Sequence, residues 1–430
     1  MAGISRRDFV KLAGAGVASS AVALSGCASL SKKSSPRVVV VGGGFGGATC
    51  AKYLRMYDSN INVTLIEQNA TYYSCPTSNL VLGGLKTMAG LAQNYNALSS
   101  KHGVNVVQER VTAIDATKRT VTLSSGKTVE YDRLVVSPGI DFKWNAIEGY
   151  DEAASQMMPH AWKAGPQTEL LHKQLLAMPD GGTVLICPPG NPFRCPPGPY
   201  ERASMVAHYL KTNKPKSKIL ILDAKDDFAK KGLFTKAWQD LYPGMIEFVP
   251  GSKGGKVHHV DAKTNTVYTD EGMTTHKGDV VNVIPPQQAG AIALSSGLAD
   301  KGWCPVNQHT FESKLVAGVH VIGDSAVAGA LPKSAHSANN IAKMTAAAIV
   351  SHFRGVVAPI PSHVNTCYSL VGPDYGISVA AVYRLGEDGV LAGVKGAGGL
   401  SPADADMEFR KKEAEYGEGW YANITADSFS

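Results

Sequence analysis

The chain has 430 residues, 44% of them apolar and 18% charged, with 42 Lys and Arg against 36 Asp and Glu. That length accommodates two or three domains with sizeable cores. The net charge of +6 is too mild to argue for nucleic acid, and no long basic run or aromatic-interleaved basic patch concentrates it. No stretch is apolar for long enough to span a bilayer.

Taken in order, the chain opens with Ser5-Arg6-Arg7-Asp8-Phe9-Val10-Lys11 ahead of a weakly apolar stretch from Leu12 to Leu24. This resembles a twin-arginine signal, the route that exports proteins already folded around a cofactor. Residues 1–30 are read as that leader, and the periplasm as the destination. Leu24-Ser25-Gly26-Cys27 resembles a bacterial lipobox, which would put a lipid on Cys27 and hold the protein at a membrane. Simple cleavage after a nearby Ala or Gly is the alternative, and both stay open. Removing residues 1–30, with Arg6, Arg7 and Lys11 against Asp8, takes the net charge from +6 to +4. Ser29 to Pro36 reads as a polar linker.

Four valines, Val38 to Val41, read as a strand buried on both faces. Gly42, Gly44 and Gly47 follow at G-x-G-x-x-G spacing, and an Ala-rich helical stretch runs from Ala48 to Leu54. Asn62 to Glu67 is a second strand ending in an acid, and Glu67 lies 20 residues after Gly47, where a ribose-hydroxyl acceptor is expected. Strand, glycines, helix, strand and acid in one βαβ unit predict a dinucleotide site, with the pyrophosphate at the helix N-terminus. A turn-rich loop, Tyr72 to Asn79, comes next. Short strands are expected at 104–107, 113–115 and 120–123, and a longer one from Tyr131 into Pro138-Gly139.

A second α/β unit begins with the strand Gly182 to Cys187. Its turn, Pro188-Pro189-Gly190-Asn191-Pro192-Phe193-Arg194-Cys195-Pro196-Pro197-Gly198-Pro199, is unsuited to a pyrophosphate, because prolines lack N–H donors. A helix over 200–211 and strands over 218–223 and 280–285 complete this unit. Val319 to Asp324 is a strand ending in Gly-Asp, and a long helix over 334–353 ends near Gly355. The remainder predicts a strand over 377–382, a glycine-rich turn over 396–399 and a charged helix over 409–416.

Six cysteines lie beyond the leader. Cys50, Cys187 and Cys304 read as small buried hydrophobes. Cys75, Cys195 and Cys367 fall in proline- or polar-rich segments that read as turns, where a structural thiol is less expected. Cys195 sits where a second nucleotide would have docked. A redox pair beside a flavin and a structural disulfide are both open readings of these thiols. No cluster has zinc-ligand spacing and there is no C-x-x-C-H, so neither a metal nor a haem attached to this chain is expected.

Asn191 to Arg202, Tyr73 to Asn79, Thr366 to Ile377, Pro332 to Asn339 and the tail Gly419 to Asp427 resemble the flavoprotein subunit of flavocytochrome c sulfide dehydrogenase. The resemblance covers nearly the whole chain after the leader. It implies an α/β fold with two Rossmann-like βαβ domains of the glutathione-reductase-like flavoprotein type plus a small α+β C-terminal domain. The segments expected are 36–148 and 285–357 for the two parts of an FAD-binding domain, 149–284 for the second Rossmann-like domain, and 358–430 for the C-terminal domain. By the same resemblance Cys195 and Cys367 match a redox-active disulfide, and Cys75 the cysteine bonded to the flavin through a thioether. Glu201 matches the acid/base and Asp324 the flavin-contacting acid. The sequence departs from the family at Leu80, where an acid is expected.

The implied reaction starts with hydrosulfide attacking the Cys195–Cys367 disulfide, leaving a persulfide on one sulfur and a thiolate on the other. Electrons then reach FAD and, one at a time, a c-type cytochrome subunit in a heterodimer. The product is zero-valent sulfur or polysulfide. A sulfide:quinone oxidoreductase is the second reading, and a noncatalytic electron-relay or binding subunit with structural cysteines the third. An NAD(P)H-dependent reductase is disfavoured by the proline-rich turn.

Overall fold

A computed structural model describes residues 35–430. The expected leader and Cys27 lie outside them. β1 (Arg37–Val41) leads through the glycine turn into α1 (Phe45–Tyr57) and back along β2 (Asn62–Ile66). β3 (Asn105–Val107) extends the sheet beyond β2, and β4 (Arg133–Val136) pairs with β1 on its other side. Val38 to Val41 are all buried, as a central parallel strand covered on both faces requires.

The chain then builds a second sheet from β5 (Thr183–Cys187), α2 (Gly198–Asn213), β6 (Lys218–Leu222), α3 (Lys231–Leu241), β7 (Ile246–Val249) and β8 (Val280–Val283). Its four strands are parallel in the order β7-β6-β5-β8. The helix starts at Gly198, before Tyr200, and takes in Pro199, which in the first turn gives up an N–H that has no intrahelical partner there. β9 (Val319–Val321) returns to the first sheet, whose order is β9-β4-β1-β2-β3, all parallel. α4 (Ala335–Arg354) follows, capped by the Ser334 hydroxyl, which accepts from Ser337 N, and closed by Gly355 at φ +68°. It packs along α1.

The C-terminal part is a three-stranded antiparallel sheet, β10 (Ser362–Gly372), β11 (Tyr375–Leu385) and β12 (Leu391–Leu400), crossed by α5 (Met407–Phe429). Three expectations change here. Cys367 lies in the middle of β10, not in a turn. The glycines at 396–399 belong to β12: its pairing with β11 shifts register between Ala381 and Tyr383, and a Cβ on Gly398 would stand 2.2 Å from Ala380 O. The helix expected over 409–416 runs to Phe429, because burial of Tyr421, Ile424 and Phe429 outweighs the weak helical preference of its glycines.

The last turn of α5 is tied to α1 and α4. Asp427 accepts from Tyr53 OH at 2.7 Å and from Asn339 Nδ2 at 2.8 Å, and pairs with Lys343 Nζ at 2.7 Å. Thr49 Oγ1 donates to Ser428 Oγ at 2.9 Å. The Phe429 ring lies 5.4 Å from those of both Phe45 and Tyr72, beside the glycine turn.

Candidate active site

The three glycines of the first turn have different reasons to be glycine. Gly42 has φ +94°, and a Cβ there would meet Ser137 O at 2.4 Å. A Cβ on Gly47 would stand 1.8 Å from Gly42 O, so α1 could not approach the turn. Gly44 has an ordinary φ of −70°, and its nearest neighbour would be the Tyr72 ring at 3.6 Å. Nothing in the protein demands glycine at 44; close approach of a phosphate-bearing ligand would. The N-terminus of α1 has no side-chain cap, which leaves its first amides for an anion. Glu67, just past β2, accepts from Gly43 N at 2.7 Å and from the Asn69 backbone and side-chain nitrogens at 2.9 Å each. It is held at the edge of this turn, apart from the cysteines.

The cysteines meet elsewhere. Cys75, Cys195, Glu201 and Cys367 line one cavity of about 940 Å³, counting the open solvent at its mouth. The four come from the loop after β2, the turn after β5, the first turn of α2 and the middle of β10. Asp324 lines an adjoining cleft that shares Ser334 with the cavity, and Arg194 Nη1 reaches to 3.7 Å from Asp324 Oδ2. Cys50, Cys187 and Cys304 are buried elsewhere. All six described cysteines are free thiols.

Burial pushes the Cys195 thiol well up; Cys367 and Glu201 add to this, while Arg194 and Lys230 oppose it. Burial also raises Cys367, with Lys230 opposing and Glu201 adding. Glu201 is raised by burial too, against two donors: Asn79 Nδ2 at 2.9 Å to Oε2 and Leu370 N at 3.1 Å to Oε1. Asn79 is oriented by Arg202, whose Nε donates to Asn79 Oδ1 at 3.1 Å. Arg202 is itself buried against neutral partners, Asn282 Oδ1 and the carbonyls of His160 and Ala161. Leu80, where the family pattern expects an acid, packs with Met205, Leu370 and Ala414, an apolar niche that would penalise a charge.

Several buried polar atoms around this space have no partner in the protein: Thr77 Oγ1, Trp162 Nε1 and Trp420 Nε1 on the cavity, Asp324 Oδ1 in the cleft, and Tyr95 OH by the glycine turn. Native interiors rarely leave so many groups unsatisfied together. The glycine turn, the uncapped helix and these waiting donors and acceptors fit a long ligand with a phosphate-bearing part and a planar polar part, as FAD has.

The matching position in the second sheet is filled. Asp223 follows β6 where a ribose acceptor would stand in a second nucleotide unit. It accepts from Tyr200 OH at 2.5 Å and from Lys225 Nζ at 2.6 Å, and the Tyr200 ring stacks on Phe228 at 3.5 Å. Asp223 is thus already engaged within the protein, and the proline-rich turn offers few N–H donors to a second pyrophosphate.

Comparison with known proteins agrees with this anatomy. Residues 168–285 match the family model of the sulfide dehydrogenase (flavocytochrome c) flavoprotein chain, central part, and residues 359–429 the flavin-binding part of flavocytochrome c sulphide dehydrogenase. Residues 36–174 match pyridine nucleotide-disulphide oxidoreductases. The sulfide dehydrogenase (flavocytochrome c) flavoprotein chain of Chlorobaculum thiosulfatiphilum is 62% identical over 45 residues, 10% of this chain and 94% of that one. The chain belongs to this flavoprotein family.

The flavoprotein is also 24% identical over 342 residues to the mitochondrial sulfide:quinone oxidoreductase of Dictyostelium discoideum, covering 77% of this chain and 72% of the relative. Its fold is that of the sulfide:quinone oxidoreductase structure from Aquifex aeolicus, with a TM-score of 0.68 at 19% identity over 91% and 92% of the two chains. The expected α/β architecture with a C-terminal sheet and helix therefore stands, and the family models support FAD as the cofactor. Reading motifs did not find Arg194 or Arg202 as site residues, although both lie inside the segment that carries the resemblance. Lys230 had no signal at all: it reads as one of two lysines before a helix.

Proposed function

We propose that the flavoprotein oxidises hydrosulfide to zero-valent sulfur or polysulfide and passes the electrons to a c-type cytochrome subunit. The observation that carries the reading is the convergence of Cys195, Cys367 and Glu201 on one cavity beside Cys75. In the oxidised protein Cys195 and Cys367 form the disulfide. Hydrosulfide attacks one sulfur, an S–S bond to the incoming atom replaces the bond between the cysteines, and the electron pair goes to the other cysteine as thiolate. Glu201 takes the proton that the persulfide gives up. FAD, when bound, supplies a two-electron acceptor that can release electrons singly to a haem. Cys75 would be the residue that tethers it by a thioether. Asp324 and Arg194 would hold its polar ring part, and Gly42, Gly44, Gly47 and Glu67 its nucleotide part. Arg6-Arg7 would direct export of the folded protein to the periplasm, where cytochromes of this type are met.

Anaerobic stopped-flow mixing tests the reading. Sulfide should bleach the flavin rapidly, and Cys195→Ser or Cys367→Ser should abolish the bleaching. Bleaching by NADH and not by sulfide would overturn it, and a flavin indifferent to both would leave a noncatalytic relay. The similarity to the mitochondrial sulfide:quinone oxidoreductase of Dictyostelium discoideum, over 77% of this chain, favours one rival acceptor. Among the described residues no helix is long and apolar enough to cross a membrane. Turnover with cytochrome c but not with a soluble quinone supports the proposed acceptor; the reverse replaces it.

A further inference from the structure

Lys230 stands in the turn that starts α3, with its backbone in the left-handed region at φ +64° and its side chain turned inward. The residue is 5% exposed. Its ammonium reaches the Cys367 carbonyl at 3.1 Å, Ser369 Oγ at 2.8 Å and the Ile377 carbonyl at 3.5 Å. Three acceptors match the three N–H groups of a protonated lysine. All three are neutral, and a buried ammonium with only neutral partners is costly unless a negative charge lies nearby. The groups within its electrostatic reach that can carry one are Cys367, Cys195 and Glu201. A non-glycine residue at positive φ is itself uncommon, and such strain gathers where function fixes the geometry.

The surroundings of the two sulfurs are unequal. Burial pushes the Cys195 thiol well up, with Cys367 and Glu201 raising its pKa further and Arg194 and Lys230 lowering it. Cys367, also raised by burial, has Lys230 lowering and Glu201 raising its pKa, and its own backbone carbonyl accepts from the Lys230 ammonium.

We propose that Lys230 is a positioning residue that makes Cys367 the leaving sulfur of the disulfide and holds it as thiolate. The assignment rests on the redox role proposed above for the cysteine pair. Attack then falls on Cys195. The Cys195–Cys367 bond breaks, the bond from Cys195 to the incoming sulfur forms, and the electron pair settles on Cys367 opposite the ammonium. Stabilising the departing thiolate speeds exchange.

The test is the pH dependence of thiol alkylation by iodoacetamide in the reduced, folded holoprotein, with Cys195 and Cys367 followed separately by peptide mass. The titratable and charged groups that share the cavity with Cys367 are Cys75 after β2, Arg194 and Cys195 before α2, Glu201 and Arg202 on α2, His336 on α4, Tyr368 beside it on β10 and Glu418 on α5, with Lys230 before α3 behind it. In the wild type Cys367 should react ahead of Cys195 at every pH below about 9. Lys230→Gln keeps two donors and removes the charge. It should move the Cys367 profile up by about one pH unit, read as about tenfold slower alkylation at a fixed pH below the midpoint. Lys230→Met should do the same and Lys230→Arg should restore the wild-type profile. Equal or reversed order in the wild type overturns the proposal without any variant, as does an unmoved profile in Lys230→Gln. Sulfide takes no part in the assay, so a protein inert to sulfide with a Lys230-dependent Cys367 separates the two readings.

Discussion

Replacing Glu201 by Gln gives the sharpest test of the cavity's chemistry. The carboxylate accepts on both oxygens, from Asn79 Nδ2 and from Leu370 N. An amide has one oxygen and one NH2, so either orientation sets donor against donor. Asn79 cannot turn to help, because its own oxygen is held by Arg202 Nε and its nitrogen also serves Gly198 O. One buried N–H is therefore stranded, at about 1–3 kcal/mol. The rate effect is larger. A positioned base is worth roughly 10²- to 10⁴-fold, so flavin bleaching by sulfide should slow by about that factor at neutral pH. Burial raises the Glu201 pKa, so the wild-type rate should climb with pH through a midpoint above 4.5 as the carboxylate ionises. The Gln variant should lack that limb. The stability sign is the opposite: with the folded pKa raised, the wild type loses stability as pH rises from 4.5 through the raised value, and the variant does not. Stopped-flow absorbance and urea titration across pH read both. A Gln variant with wild-type bleaching and the same pH limb would refute Glu201 as the base.

The remaining predictions concern the cofactor, the glycine turn and the buried histidines. Denatured wild-type protein should keep the mass of one FAD, and Cys75→Ala should lose it; free FAD from the wild type would remove the thioether. Gly47→Ala should prevent folding, since its Cβ would overlap Gly42 O, whereas Gly44→Ala should fold and bind FAD at least about tenfold more weakly, because glycine there serves the ligand. Circular dichroism and flavin titration separate the two; equal behaviour contradicts the assignment. Burial lowers His160 to about 3 and His320 and His363 to about 4, from 6.5. Stability contributed by keeping them neutral is full above 6.5 and is lost as pH falls toward 4, by on the order of 3 kcal/mol for His363, both of whose ring nitrogens lack partners. His363→Leu should flatten that part of the acid-melting curve.

The first βαβ unit was legible because its signals are local: an unbroken valine run, glycines at fixed spacing and an acid 20 residues on. The proline-rich turn was legible for the same reason, as chemistry that forbids a pyrophosphate. Its companion, the Tyr200–Asp223 contact, was not, since a tyrosine on a helix does not declare which strand end it will cap. The C-terminal part misled local reading most. Glycines that look like a turn sit in a bulged strand, and Cys367, which looks like a loop cysteine, is mid-strand. There the structure is set by pairing across β10, β11 and β12 and by α5 lying over them. Cys195 and Cys367 are 172 positions apart. Only the resemblance suggested pairing them, and the fold brings both to one cavity.

The bond between Thr49 and Ser428 joins positions 379 apart. Asp427 and Phe429 brace the first helix, and Gly417, Glu418 and Trp420 furnish one wall of the cavity, so both the helix behind the glycine turn and the cavity are completed by the last segment of the chain to be synthesised. Chains interrupted before the final helix would lack that wall and that brace together.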